Sequence, residues 1–236
     1  MNLFPSDNLI EIYDASHVSR LFVVGDLHGC YQEFIDKLIE IDFKFDEDLV
    51  ISIGDLVDRG KNSLKCLELV NQHWFKTIRG NHEQMCLEAL IAPEMKKLHY
   101  KYGGEWLYDL PHKKYKEVIA TCLKLPIVLE VNFKGKKIGF IHADINFNNW
   151  DEFKNNLLKN DYYTNYDTST LKKALWDANR IFDKKAQIVT GIDEIYLGHT
   201  VVETTVQIKN CFYIDTGIVF GRYLTIKEIE PIKAEK

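Results

Sequence analysis

Residues 49–60 read LVISIGDLVDRG. A short, almost wholly apolar run passes straight into a glycine-flanked set holding two carboxylates and an arginine. A run that short, without apolar/polar alternation, reads as a strand buried on both faces. The same grammar recurs on either side. Residues 21–25 (LFVVG) pass into Asp26-Leu27-His28-Gly29, and residues 74–78 pass into Arg79-Gly80-Asn81-His82-Glu83. Helical spacing lies between and after them. Phe34, Ile35, Leu38 and Ile41 mark a helix over 31–41, and further helices are predicted over 63–72 and 83–91. Strands alternating with helices require crossover connections and a largely parallel sheet.

Further along the chain the pattern changes. Residues 93–124 are rich in Lys, Tyr, Trp and Leu and contain Gly103-Gly104, which predicts a helical insertion over about 92–125. Strands are predicted again over 127–133 and 137–142. A polar, mostly helical or irregular stretch over 150–180 follows. Four short strands are then expected over 194–197, 204–209, 211–214 and 223–229, the last three antiparallel and joined by short turns. No Gly/Ser linker or repeat divides the chain, so residues 1–236 read as one domain. The fold class is α/β, with two mixed sheets packed face to face.

Composition narrows the class. The 236 residues are 46% hydrophobic and 28% charged, values of a chain that buries a core. A net charge of −5 argues against nucleic acid as a partner. Five cysteines, an odd number with no CxxC pair, disfavour a disulfide framework and a thiolate zinc site. A cytoplasmic location is the simple expectation. No apolar leader stands in residues 1–19, and no apolar run approaches the roughly 18 residues of a membrane span.

The strand exits carry the chemistry. Two later ones join the first three: His142-Ala143-Asp144 and Gly198-His199-Thr200. In open α/β sheets, ligand groups collect at the carboxyl ends of strands. One crevice would thus receive Asp26, His28, Asp55, Asn81, His142 and His199. Any one motif alone could be a loop held by Asx hydrogen bonds. Together they make an O/N donor set suited to two Mn²⁺, Fe or Zn²⁺ ions, with Asp55 bridging. Imidazoles disfavour Ca²⁺. Two such ions can hold a bridging hydroxide as the nucleophile for phosphoryl transfer, so no protein nucleophile is needed. Cys30 reads as a small core residue. His82 is placed to protonate a leaving alkoxide and Asp58 to orient it. Arg59 offers a donor fork for phosphate, and Arg180 is the candidate for a second. His17, His73, His99 and His112 stand outside any motif and read as structural or surface residues. Trp106, Tyr108 and Leu110 read as packing.

At GDxHG (25–29), GDxVDRG (54–60) and GNHE (80–83), with His142 and His199 after them, the chain resembles the phosphoprotein phosphatase family of metal-dependent serine/threonine phosphatases. VVGDLHGCY, CLEL, TIRGNHEQM, IHAD, GHT and YIDTG resemble its bacteriophage-type branch, over roughly residues 20 to 228. The resemblance implies a calcineurin-like metallophosphoesterase fold, a β-sandwich flanked by helices, and a cytoplasmic enzyme of bacterial or phage origin. It implies two divalent ions, Mn²⁺ first, with Fe, Zn or Ni as alternatives. Asp26, His28 and Asp55 would hold one ion; Asp55, Asn81, His142 and His199 would hold the other. His82 with Asp58 would be the acid pair and Arg59 a phosphate ligand. Substrates would be phosphorylated proteins or peptides, with phosphotyrosine and small aryl phosphates also accepted. One departure stands out. The branch places its second arginine as W-x-R, whereas three residues separate Trp176 from Arg180 here. The chain ends soon after YIDTG, which reads as a stand-alone catalytic domain. The rival on the same scaffold is a symmetrical diadenosine tetraphosphate hydrolase, opposed by the full Asp58-Arg59-Gly60 and by Glu83 closing the third motif. A catalytically dead phosphoprotein-binding module is opposed by the complete ligand set.

Overall fold

A computed structural model describes residues 2–5 and 8–232 of the chain; the outermost residues of the expected 1–236 span lie outside it. Three apolar runs form the parallel strands β2 (Leu21–Val24), β3 (Leu49–Ser52) and β4 (Phe75–Thr77). Each is followed by a helix: α1 (Tyr31–Glu40), α2 (Ser63–Glu68) and α3 (Asn81–Glu88). Residues 93–124 carry α4 (Pro93–His99), α5 (Glu105–Tyr108) and α6 (His112–Lys124).

A second sheet carries β5 (Val128–Phe133) and β6 (Lys136–Ile141) as an antiparallel hairpin. After α7 (Trp150–Leu157) and α8 (Thr170–Trp176), β7 (Glu194–Leu197) adds in parallel to β6. Strands β8 (Val206–Ile208) and β9 (Cys211–Tyr213) complete that side. A strand not foreseen, β1 (Ile10–Asp14), pairs in parallel with β5 at the other edge. The six-stranded order is β1-β5-β6-β7-β9-β8, and the four-stranded order is β10-β2-β3-β4, with β10 at Ile226–Glu228.

One strand expectation is corrected. Only β8 and β9 pair antiparallel; β10 crosses to the other sheet and lies antiparallel to β2. Ile229, just past β10, is buried with Leu21 and Leu129 in the core between the sheets. A three-residue strand has too little alternation to choose its partner locally; burial of its neighbour decides.

Two apolar layers explain the uninterrupted runs. Leu21, Val23, Leu49 and Ile51 from one sheet meet Leu129, Val131, Phe133, Ile138 and Phe140 from the other. The alternate residues, Phe22, Val24, Val50, Val128 and Ile141, face outward and pack with Phe34, Leu38, Trp150 and Phe153 of the flanking helices. Strands covered on both faces have no polar side to show, so the period-2 signal vanishes. Trp150 anchors the second helical layer, fully buried, with its indole N–H donating to Glu130 Oε2 at 2.6 Å. Trp150→Ala should therefore lower unfolding free energy by about 3–5 kcal/mol, read from a denaturant midpoint at unchanged slope. A loss below about 1 kcal/mol would show that α7 is not anchored this way.

Candidate metal centre

In the register of β2, β3 and β4, Val24 faces Ser52 and Ser52 faces Thr77, so the three strand exits open side by side. In the other sheet Phe140 pairs with Tyr196, so His142 and Gly198-His199 leave at one common edge. The His142 imidazole N–H donating to the Ile53 carbonyl at 2.8 Å joins the two edges.

The exits are conformationally unusual. Nine non-glycine residues among those described have positive φ, and five of them belong to the site: His28, Asp55, Asp58, Arg59 and His199. Such backbone is strained and persists only where surroundings enforce it. At Asp55 the enforcing group is the buried Glu83 carboxylate. Its Oε2 accepts the N–H groups of Asp55 (3.0 Å) and Gly80 (2.8 Å), and its Oε1 those of Leu56 (2.8 Å) and Val57 (3.3 Å). Gly80 is required by proximity, since a Cβ there would lie 2.2 Å from Asp55 Oδ1.

Three imidazoles are oriented alike. His28, His142 and His199 each donate one ring N–H to a backbone carbonyl, of Val57 (2.9 Å), Ile53 (2.8 Å) and Trp176 (3.1 Å). That fixes the tautomer and turns the other nitrogen's lone pair inward. Asp55 lies between them: Oδ2 is 3.4 Å from His28 Nε2 and Oδ1 is 3.4 Å from His142 Nε2. Asn81 Oδ1 stands 2.8 Å from His142 Nε2 and 2.9 Å from His199 Nδ1. Lone pairs therefore face one another across short gaps, an arrangement that a cation makes favourable.

The charges agree with that reading. Burial, with Asp215 and Asp55 nearby, pushes Asp26 well above the usual carboxylate range. Burial also holds His28 down to about 3 and His199 down to about 4, so both rings are neutral; His28 Nε2 accepts from Arg59 and would be free to ligate once that contact is released. Burial opposes charge on His142, yet the Asp55 carboxylate raises it overall; a proton and a metal ion compete for the same lone pair. The donor set fits two divalent ions sharing Asp55. Two compact groupings meet there, His28-Asp55-His82 and Asp55-His142-His199.

Asp26 sits at the edge of this cluster, buried, with its carboxylate accepting the His199 backbone N–H at 3.1 Å. His82 completes the first grouping by distance, but its Nδ1 is engaged with Asp58 Oδ2 at 2.7 Å, and its Nε2 points toward Asp55 Oδ2, 4.0 Å away. Arg59 is exposed beside the cluster, donates through Nη1 to His28 Nε2, and stacks under the Phe220 ring at 5.3 Å. Burial drives the Cys30 thiol up to about 11, which removes it as a nucleophile.

Arg180 requires a correction. Its guanidinium is buried and donates to the carbonyls of Ile145, Gln187 and Phe147 and to Asn148 Oδ1. It ties the 145–148 loop to the 179–187 loop and has no donor directed at the cluster. The longer spacing from Trp176 is thus a real displacement. Sequence reasoning also missed four residues. Glu83 was visible only as capping spacing, Gly80-x-x-Glu83. Asp215, buried and close enough to load Asp26, was visible only inside YIDTG. His99 and Trp106, both bound to Asp58, gave no local signal.

The model of the calcineurin-like phosphoesterase family matches residues 19–214. A relative, serine/threonine-protein phosphatase 1 of Salmonella typhimurium, is 36% identical over 226 residues, covering 93% of this chain and 98% of its own. A symmetrical bis(5'-nucleosyl)-tetraphosphatase of Wigglesworthia glossinidia brevipalpis is 33% identical over 133 residues, covering 55% of this chain and 46% of its own. A solved protein serine/threonine phosphatase from Saccharomyces cerevisiae superposes with a TM-score of 0.60 at 17% identity, over 99% of this chain and 87% of that one, and so shares the fold.

Two outcomes are expected. By elemental analysis after manganese loading and desalting, Asn81→Ala should retain about one ion and Asp55→Ala close to none. Equal retention by both would remove Asp55 from the shared position. Arg180→Met should lower stability by about 1–3 kcal/mol, since the buried Ile145 carbonyl and three part-buried acceptors lose their donor, while binding of inorganic phosphate to the folded protein stays unchanged.

Proposed function

Because the chain belongs to the calcineurin-like phosphoesterases, we propose that it is a metal-dependent protein serine/threonine phosphatase, a phosphomonoesterase that also accepts phosphotyrosine and small aryl phosphates. One observation carries the reading: a buried imidazole that is not needed as a ligand stands beside the metal cluster with a carboxylate behind it. The His82–Asp58 contact at 2.7 Å fixes His82 with Nδ1 as donor and presents Nε2 toward the reacting side. A seryl or threonyl alkoxide is a poor leaving group and needs a proton from such a group. A nucleotide phosphate leaves as a stable anion and needs it less.

Asp26, His28 and Asp55 would hold one ion, and Asp55, Asn81, His142 and His199 the other; Mn²⁺ suits this O/N set without thiolates. When bound, the ions supply Lewis acidity and an acidified water as nucleophile. The protein's own groups do the rest. Arg59 meets the phosphate oxygens with a planar donor fork. His82 delivers the proton to the leaving oxygen, and Asp58 holds its tautomer. The relative from Salmonella, aligned over nearly its whole length, supports a phosphoprotein as the substrate class. Tetraphosphatase relatives, of lower identity than the Salmonella protein, supply the second reading.

His82→Asn should cut kcat on a phosphoserine peptide by about 10²–10⁴-fold. It should affect an aryl phosphate with an acidic leaving group much less, with both ions retained. Undiminished phosphoserine turnover would sink the acid role. Assayed side by side, the unaltered protein should turn over the phosphopeptide in preference to a dinucleoside tetraphosphate; the reverse preference would select the second reading.

A further inference from the structure

Asp58 is held by more than His82. Its carboxylate is fully buried and takes three side-chain donors: His82 Nδ1 at 2.7 Å, His99 Nε2 at 3.1 and 3.0 Å to the two oxygens, and Trp106 Nε1 at 2.7 Å. His99 comes from the last residue of α4 and Trp106 from α5, both within the helical insertion. The His99 ring is itself fixed, since its Nδ1 lies 2.8 Å from the Tyr108 hydroxyl. One tautomer satisfies these contacts: the tyrosine O–H donates to Nδ1, and Nε2–H donates to Asp58, with Cys86 Sγ 3.6 Å from the same nitrogen. Trp106 can only donate. Three donors and no acceptor face the carboxylate, so it stays an anion with one orientation.

The chain is built to permit this contact. At Gly103 the backbone has φ of 93° and breaks the helix between α4 and α5, and its carbonyl accepts the Arg59 N–H at 3.2 Å. A Cβ on Gly103 would lie 2.5 Å from Arg59 N, and one on Gly104 would lie 2.2 Å from the His99 ring. Only glycines let the insertion press against the 58–59 loop and the His99 ring together. Asp58, His99 and Cys86 could also be read as a three-ligand metal grouping. The His99 Nε2 proton directed at Asp58 accounts for their closeness without an ion.

We propose that His99 and Trp106 are positioning residues, which lock the Asp58 carboxylate in one rotamer and thereby hold the His82 ring with Nε2 aimed at the metal cluster. The proposal rests on His82 being the acid. Without the two extra donors the carboxylate can turn or take up water, and His82 loses its fixed aim. Partners behind a reacting or ligating group typically contribute about 10–100-fold to activity.

The test uses the manganese-loaded protein. Trp106→Phe keeps the ring and removes the donor; His99→Leu removes both ring nitrogens; His99→Gln restores an N–H. Trp106→Phe and His99→Leu should each lower kcat on a phosphoserine peptide by about 10–100-fold. KM and the two bound ions should be unchanged, and kcat on an activated aryl phosphate should be little affected. His99→Gln should recover most of that loss. Added to His82→Asn, Trp106→Phe should cost nothing further, because both act through one group. With diamagnetic zinc loaded in place of manganese, the far-downfield proton resonance of His82 Nδ1 should shift or exchange away in Trp106→Phe, a readout independent of turnover. Equal losses on both substrates, additivity with His82→Asn, or an unmoved resonance would overturn the proposal. If His82→Asn itself spares phosphoserine turnover, the acid assignment fails first, which is a separate and recognisable result.

Discussion

A single buried carboxylate holds the site in shape. Glu83 accepts four backbone N–H groups, three from the loop after β3 and one from the start of α3. Each of those amides lies where the chain bends out of regular structure and has lost its ladder partner. Left unpaired in a water-free interior, each would cost about 1–3 kcal/mol. One side chain satisfies them together, and in doing so welds two strand exits into one rigid piece. Asp55 and Asn81, one from each exit, therefore keep a fixed separation. The strained backbone at Asp55 is tolerable because this network enforces it, and at Asp58 the amide N–H is held by Ser63 Oγ. Preorganised ligands bind metal without first paying for their own ordering.

The overall charge of −5 says little about the centre. Asp26, Asp55 and Asp215 crowd a buried region; burial raises Asp26 and Asp215, and the neighbouring carboxylates add to it. In a low-dielectric interior such repulsion is several times stronger than at the surface. Divalent ions held there would reverse the local sign, and a phosphate group would respond to that local field. The same carboxylates that make the chain acidic are thus what makes the crevice attractive to an anion once it is loaded. Whole-chain charge bears on nucleic-acid binding, where many phosphates must be met at once.

How much of this was legible follows from the range of each interaction. The two-faced strands β2 and β3 could be read because burial on both sides leaves a signature within five residues. The proposed ligands could be grouped from sequence because each sits at a strand exit, all but His142 beside a glycine. Strand β1 was not read: Ile12 is 63% exposed at a sheet edge, so its sequence carries only a weak alternation. The switch of β10 to the other sheet depends on where Ile229 is buried, which no local pattern states. His99 and Trp106 reach Asp58 across 41 and 48 residues, and their spacing from it encodes nothing. Glu83 lay in plain view within a motif, yet its task is to bind backbone, and motif logic weighs side chains by chemistry toward substrate.

The arginines show the same limit from the other side. Arg20 is paired with Asp48, and Arg79 is buried with donors to Leu3, Leu123 and Leu125 carbonyls. Arg180 spends its fork on loop carbonyls. Arg222 reaches the Val202 carbonyl. Arg59 is left as the one guanidinium among the described residues that is both exposed and in contact with the cluster, through His28. A reading that asked for two phosphate-binding arginines chose by sequence neighbourhood, and neighbourhood cannot show that a buried guanidinium has already met its acceptors. Under the proposed function the charge on the phosphoryl oxygens falls to Arg59 and the two ions. That concentrates the electrostatic task on the loop Asp58-Arg59, the same loop that the insertion holds through His99, Gly103 and Trp106.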